Sequence, residues 1–126
     1  MIYTSYFSSR RFPINLGVAI TLGGKFWKGD VYKALAPTPQ ILNWWKNERQ
    51  KWKNPELVYE KLYIRDVLNK LDVHQVAKDL NGKVLLCFEK EGDFCHRHIV
   101  AKWLSENGYE CHEVEKGELL KWRLKE

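Results

Sequence analysis

The chain has 126 residues, 44% of them hydrophobic, and a net charge of +5 at pH 7. This is the length of one domain with enough apolar side chain for a core, which excludes wholesale disorder. No apolar run approaches the roughly 18 residues that cross a membrane, Met1 to Phe7 lacks the basic region of a signal peptide, and so mild a charge permits an anionic partner without specifying nucleic acid. Ile2 to Phe7, rich in β-branched and aromatic residues, reads as a strand. A polar, basic loop follows, Ser8-Ser9-Arg10-Arg11-Phe12-Pro13. Leu16 to Leu22 is a second apolar run, closed by Gly23-Gly24, and reads as a buried strand. Eight residues separate the two runs, too few for a helical crossover, so these strands are expected to pair antiparallel or to lie apart.

Gly23 to Pro39 is loop-rich. A helix is predicted from Pro39, with Thr38 as its cap and proline in its first turn. Ile41, Leu42, Trp45 and Trp52 mark its inner face, and the polar stretch Lys46 to Asn54 ends it. Pro55 opens the next helix, with Leu57, Val58, Lys61, Leu62, Ile64, Leu68 and Leu71 at helical spacing. Tyr59 and Tyr63 are expected to pack on it with their polar tips outward. Asp72 caps a short helix, Val73 to Leu80, ended by Asn81-Gly82. Lys83 to Phe88 is the third strand. Its helix starts near Phe94, capped by Asp93, and is stopped by Gly108. Tyr109 to Val114 is a fourth strand, and Leu119 to Leu124 alternates apolar and basic residues as an edge strand does. Strand, helix, strand over residues 83–114 is a βαβ unit, which predicts that strands 83–88 and 110–114 are parallel neighbours. The fold class is α/β. The expected architecture is a single three-layer domain over residues 1–126, with a largely parallel sheet of about four to five strands and a crevice at their carboxyl ends.

The densest chemistry is Cys95-His96-Arg97, behind the acidic segment Glu89-Lys90-Glu91-Gly92-Asp93. At such a strand-to-helix junction, free N–H groups and the positive end of a helix dipole meet. That place suits anions and lowers the pKa of a thiol. On a functional reading Cys95 is a thiolate nucleophile or a contact, His96 a proton shuttle, Arg97 an anion clamp and Glu89 a base or orienter. On a structural reading His96 is a hydrogen-bonded core histidine, and Arg97 pairs with Glu89, Glu91 or Asp93. His96, Ile99, Val100 and Trp103 form the stripe that faces the sheet, so His96 and Trp103 are expected to be buried and His98 and Lys102 exposed. Cys95 is placed toward solvent or the cleft. Ser8, Ser9, Arg10 and Arg11 are expected to face the cluster as ligand-binding residues. The tyrosine-phosphatase arrangement needs an arginine six residues after the cysteine, where this chain has Ala101.

Leu85-Leu86-Cys87-Phe88-Glu89 followed by Cys95-His96-Arg97 and an apolar helix resembles the signature of the domain-of-unknown-function 488 family. Ile2-Tyr3-Thr4 and Leu35-Ala36-Pro37-Thr38-Pro39 with Leu42 and Trp45 resemble it too, so the similarity touches most of the chain. The resemblance implies a small cytoplasmic α/β domain of uncharacterised biochemistry. Members of that family usually carry an acid and an arginine at the end of the second strand. This chain has Ile20-Thr21-Leu22-Gly23-Gly24 there, and Lys25, Lys28, Arg10 and Arg11 are the candidate substitutes.

Other constellations are weaker. Cys95, His98 and Cys111 or His112 could hold zinc, but no Cys-x2-Cys pair or finger spacing appears, and no metal site is expected. Cys87 reads as a small buried hydrophobe. Three cysteines, odd in number and widely spaced, predict a reduced cytoplasmic protein rather than a disulfide framework. Glycines 23, 24 and 29 match no phosphate-loop or dinucleotide fingerprint, so no cofactor is expected. Trp44-Trp45-Lys46 to Trp52-Lys53, Phe26-Trp27-Lys28 and Lys121-Trp122-Arg123 interleave aromatic and basic residues as single-stranded nucleic-acid binders do. They equally make helix faces with solvated lysines, Trp44 being the one placed outward. The leading expectation is binding, with turnover left open, of a small anionic or nucleotide-like ligand at the Cys-His-Arg junction. The alternative is a non-catalytic nucleic-acid or protein interaction module.

Overall fold

Helix starts follow the side chains that satisfy their free N–H groups. Helix α1 (Pro39–Glu48) follows Thr38, whose Oγ1 accepts from the Ile41 N–H at 3.1 Å. Helix α2 (Pro55–Asp66) follows Asn54, which accepts from Leu57 N–H. Helix α3 (Val73–Leu80) follows Asp72, which accepts from His74 N–H. Thr38, Asp72 and the first-turn prolines Pro39 and Pro55 are as the sequence predicts; Asn54 is a cap that the structure adds. Helix α4 (His96–Glu106) differs: Cys95 stands at its cap and makes no side-chain capping bond. The computed structural model describes residues 1–9, 11–22, 26–88 and 94–114. Asp93, expected as the α4 cap, and the edge strand expected at 119–124 lie outside them.

Strands β1 (Ile2–Tyr6), β2 (Gly17–Ala19), β3 (Asp30–Val31), β4 (Val84–Cys87) and β5 (Cys111–Glu113) make one five-stranded sheet among the described residues. Their order is β3-β2-β4-β1-β5 and every pairing is parallel. The fold is a single α/β unit. β4 and β5 are parallel, as the βαβ spacing requires, but they are not neighbours. β1 lies between them, with Tyr3 opposite both Val84 and His112. Local spacing specifies a crossover and is silent on whether a strand from elsewhere in the chain inserts under it. β1 and β2 lie apart, with β4 between them. β3 is a two-residue edge strand within the stretch read as loop, too short to show a pattern.

The two sheet faces are covered differently. Ile2, Val18, Ile20 and Leu85 pack with residues of all four helices. The alternate residues Val84 and Leu86 pack with Phe12, Leu16, Phe7, Trp27 and Val114. Among the described residues the third layer is therefore loop and a 3-10 turn, Ile14–Leu16, with no α-helix. The Trp27 indole lies so close over Gly17 that a Cβ there would stand 2.9 Å from the ring, and its Nε1–H donates to Asp30 O at 2.9 Å.

Four side-chain placements depart from the sequence reading. α1 stops at Glu48 and a 3-10 turn, Arg49–Lys51, follows. The turn breaks the helical period, so Trp52 stays 50% exposed; Trp44, ahead of the turn, packs against the core. Leu42 also stays exposed. α2 ends before Leu68, and its buried residues are Tyr59 and Tyr63. The Tyr63 hydroxyl points inward and donates to the carbonyl of Leu35, itself wholly buried. Tyr63→Phe is expected to cost about 1–2 kcal/mol in chemical denaturation, because that carbonyl loses its donor out of reach of water.

Candidate active site

β4 carries Cys87 to the carboxyl edge of the sheet, and α4 returns from the same edge with Cys95, His96 and Arg97 at its start. The Sγ atoms of Cys87 and Cys95 are in bonding contact. This corrects the reading of the cysteines as unpaired and of Cys87 as a simple hydrophobe. The strand–loop–helix return brings together two positions that spacing alone does not pair. Cys111, the third cysteine, stands apart with a free thiol, which burial pushes up to about 12.

His96 is buried, as its place on the stripe predicts. Its Nε2 lies 2.6 Å from Ile20 O, and a carbonyl only accepts, so Nε2 carries the proton. Nδ1 is then a free acceptor, and it faces Cys95 Sγ at 3.6 Å. Burial lowers the His96 pKa to about 4, which keeps the ring neutral at physiological pH. His98 and Lys102 are exposed as expected, but Trp103 is only half-buried while Arg97 and Leu104 are wholly buried, so the inner face of the helix is turned toward Arg97 and Leu104 from the predicted stripe.

Arg97 has 0% exposure. Its Nε and Nη2 donate to the two carboxylate oxygens of Glu113 at 3.0 and 2.9 Å, and Nη1 donates to Cys87 Sγ at 2.7 Å. Thr4 Oγ1 donates to Glu113 Oε1 at 2.6 Å, fixing the acceptor side of the fork. The sequence offers Glu89, Glu91 or Asp93 as partners; the structure supplies Glu113 from β5. An inward-facing acid on β5 was the available signal, since Cys111 and Glu113 share one face of that strand.

Cys95 and His96 open onto a cavity of about 110 Å³ that Arg97 does not line. Trp45, Tyr59 and Phe94 form one wall, with ring centroids 5.0–5.4 Å apart. Leu22, Leu42 and Phe88 form an exposed apolar rim. Thr21 and Leu22, where the family resemblance leads one to expect an acid and an arginine, are wall residues of this cavity. The aromatic wall is scattered over α1, α2 and the residue before the α4 cap, and no local motif announces it.

The first loop is placed differently. Ser8, exposed, and Ser9, buried, border a separate depression with Phe7, Phe12 and Trp27. Ser9 Oγ accepts from Arg11 N–H at 3.4 Å. None of Ser8, Ser9 and Arg11 lines the Cys95 cavity. Arg10 and Glu89 lie outside the described residues, as does Lys25. Among the described residues no three His, Cys, Asp or Glu side chains converge as a metal site would require, and His112 packs against the Tyr3 ring.

A family model described as the active DUF488-N3 subclade, DUF488-N3a, matches residues 4–108. The chain belongs to the DUF488 family. No curated protein and no solved structure matches it. The matched span of this DUF488 protein includes Cys87, Cys95, His96 and Arg97 but ends before Glu113. No helix among its described residues is long and apolar enough to cross a membrane.

Proposed function

We propose that this DUF488 protein binds a small, ring-bearing, nucleotide-like ligand at Cys95 and His96, and that the reduced Cys95 acts on it. The observation that carries the reading is an aromatic-walled cavity with the Cys95 sulfur and a neutral imidazole at its base. It lies at the carboxyl ends of β2 and β4, where parallel sheets take their ligands. Its volume of about 110 Å³ is below the roughly 150 Å³ of an apolar cavity that takes benzene, so a ring enters only in part and the rest of the ligand stays at the exposed rim. The ring lies against Trp45 and Phe94, and the anionic part meets the first-turn N–H groups of α4. Arg97 is committed to Glu113 and Cys87 and serves as support for the site. Cys95 is placed as the nucleophile of the site, with the neutral His96 ring beside it to accept a hydrogen bond from the reduced thiol through Nδ1. The description of the matched subclade as active agrees with catalysis. A cytoplasmic location belongs to the same reading, because a reducing compartment keeps a thiol nucleophile free.

One observation favours a nucleic-acid interface instead: Trp52 is half exposed and packs on Trp44 at 6.1 Å, with Arg49 5.4 Å from the Trp45 ring. Titration of the reduced protein with nucleosides, nucleotides and single-stranded oligonucleotides, followed by tryptophan fluorescence and melting temperature, separates the two. Saturable quenching by a nucleoside or nucleotide is expected, weakened about tenfold by Leu42→Glu at the rim, a change of about 1.4 kcal/mol. Binding confined to oligonucleotides, unaffected by Leu42→Glu and lost in Trp52→Ala, would transfer the function to the Trp52 ledge.

A further inference from the structure

We infer that Cys87 and Cys95 form a reversible dithiol–disulfide couple that exchanges with low-molecular-weight thiols and disulfides through the cavity. Cys95 is the exchanging sulfur and Cys87 the leaving one. The inference is independent of which ligand the cavity binds.

Four observations carry it. The two sulfurs are in bonding contact. The Cα atoms stand 7.3 Å apart, just beyond the usual disulfide span of about 4.4–6.8 Å, a spacing that also accommodates two separate thiols. Access is unequal: Cys95 lines the cavity and Cys87 does not, having 0% exposure. Finally, Cys87 Sγ receives the Arg97 Nη1–H at 2.7 Å. A charge-assisted donor on sulfur favours thiolate, and a stabilised thiolate leaves faster. Glu113 moderates the guanidinium charge, yet its bidentate grip fixes the third arm of the fork on Cys87.

In the reductive direction an external thiolate such as that of glutathione attacks Cys95 Sγ. The Cys87–Cys95 bond breaks, and its electron pair departs with Cys87 as a thiolate on Arg97. A second external thiolate attacks the outer sulfur of the mixed disulfide, releasing external disulfide and the Cys95 thiolate, and the two protein thiolates take up through water the two protons that the external thiols lost. The sum is one protein disulfide and two external thiols giving two protein thiols and one external disulfide. Oxidation is the reverse, with external disulfide as oxidant.

The test equilibrates the full chain in buffers from reduced to oxidised glutathione, quenches in acid, and alkylates the unfolded protein for intact mass and peptide mapping. Three labels are expected at the reducing end and one, on Cys111, at the oxidising end. In Cys87→Ser the mixed disulfide has no internal thiol to resolve it, so one glutathione is expected to accumulate on Cys95. In Cys95→Ser no glutathione is expected on Cys87. Three labels on the wild type at every poise, or one at every poise, would overturn the inference. So would glutathione on Cys87 in Cys95→Ser at the rate seen for Cys95. The wild-type titration stands even where a variant fails to fold.

Discussion

Arg97→Ala is expected to lower stability by about 3 kcal/mol, roughly 10 °C in melting temperature for a chain of this size. The guanidinium has no exposed surface and holds Glu113 bidentately, Thr4 holds Glu113 in turn, and the third arm reaches Cys87. Removing it leaves a carboxylate in the core without its cation. The Glu113 side chain is 22% exposed, so water relieves part of the loss, and the value sits at the low end of what breaking a buried pair costs. Arg97→Lys keeps the charge but not the planar fork and recovers only part of the stability. The double variant Arg97→Met with Glu113→Leu is expected to be more stable than either single change, because no charge then remains buried alone. Denaturant midpoints measure all of these. A loss below about 1 kcal/mol for Arg97→Ala would mark the pair as an ordinary surface bridge, and Arg97 would no longer count as the support of the cysteine pair.

The second large effect is acid sensitivity centred on His96. Its folded pKa is lowered to about 4, chiefly by burial, against about 6.5 in an unfolded chain. Between these values the unfolded state binds a proton that the folded state does not, so stability rises with pH there. The contribution is complete above about pH 6.5 and is lost as pH falls toward 4, about 3 kcal/mol in all. Stability measured by urea denaturation from pH 7 to pH 4 should show this slope. His96→Gln, whose amide can still donate to Ile20 O, is expected to be less stable at pH 7 but to flatten the slope. An unchanged slope in that variant would assign the acid sensitivity to other groups.

How far the sequence reaches is clearest within α4. Composition and the 3.6-residue stripe place His96 inward and His98 outward, because one amphipathic helix on one sheet leaves little freedom of phase. The stripe does not identify the partners of the junction. Ile20 just past β2, Cys87 on β4 and Glu113 on β5 come from three different parts of the sheet, and their approach depends on the order β3-β2-β4-β1-β5. The insertion of β1 between β4 and β5 fixes that order, and no local spacing encodes it.

The same division holds for the cavity and the cysteines. Thr38, Asn54 and Asp72 end up as caps because capping is a contact within a few residues, so it is legible locally. The aromatic wall and the Cys87–Cys95 contact join residues that only meet when the helices dock on the sheet. Trp52 shows the limit from the other side. Its spacing from Trp45 is helical, but a single 3-10 turn at Arg49–Lys51 rotates it into solvent. By itself the sequence determined the α/β class, the helix starts and the inward turn of His96, because short-range sterics and burial periodicity decide these. The tertiary structure alone decided that Arg97 is a buried strut, that Cys87 meets Cys95, and that the first loop borders a different depression. Those outcomes depend on which strands become neighbours, and strand order is settled by packing over the whole chain.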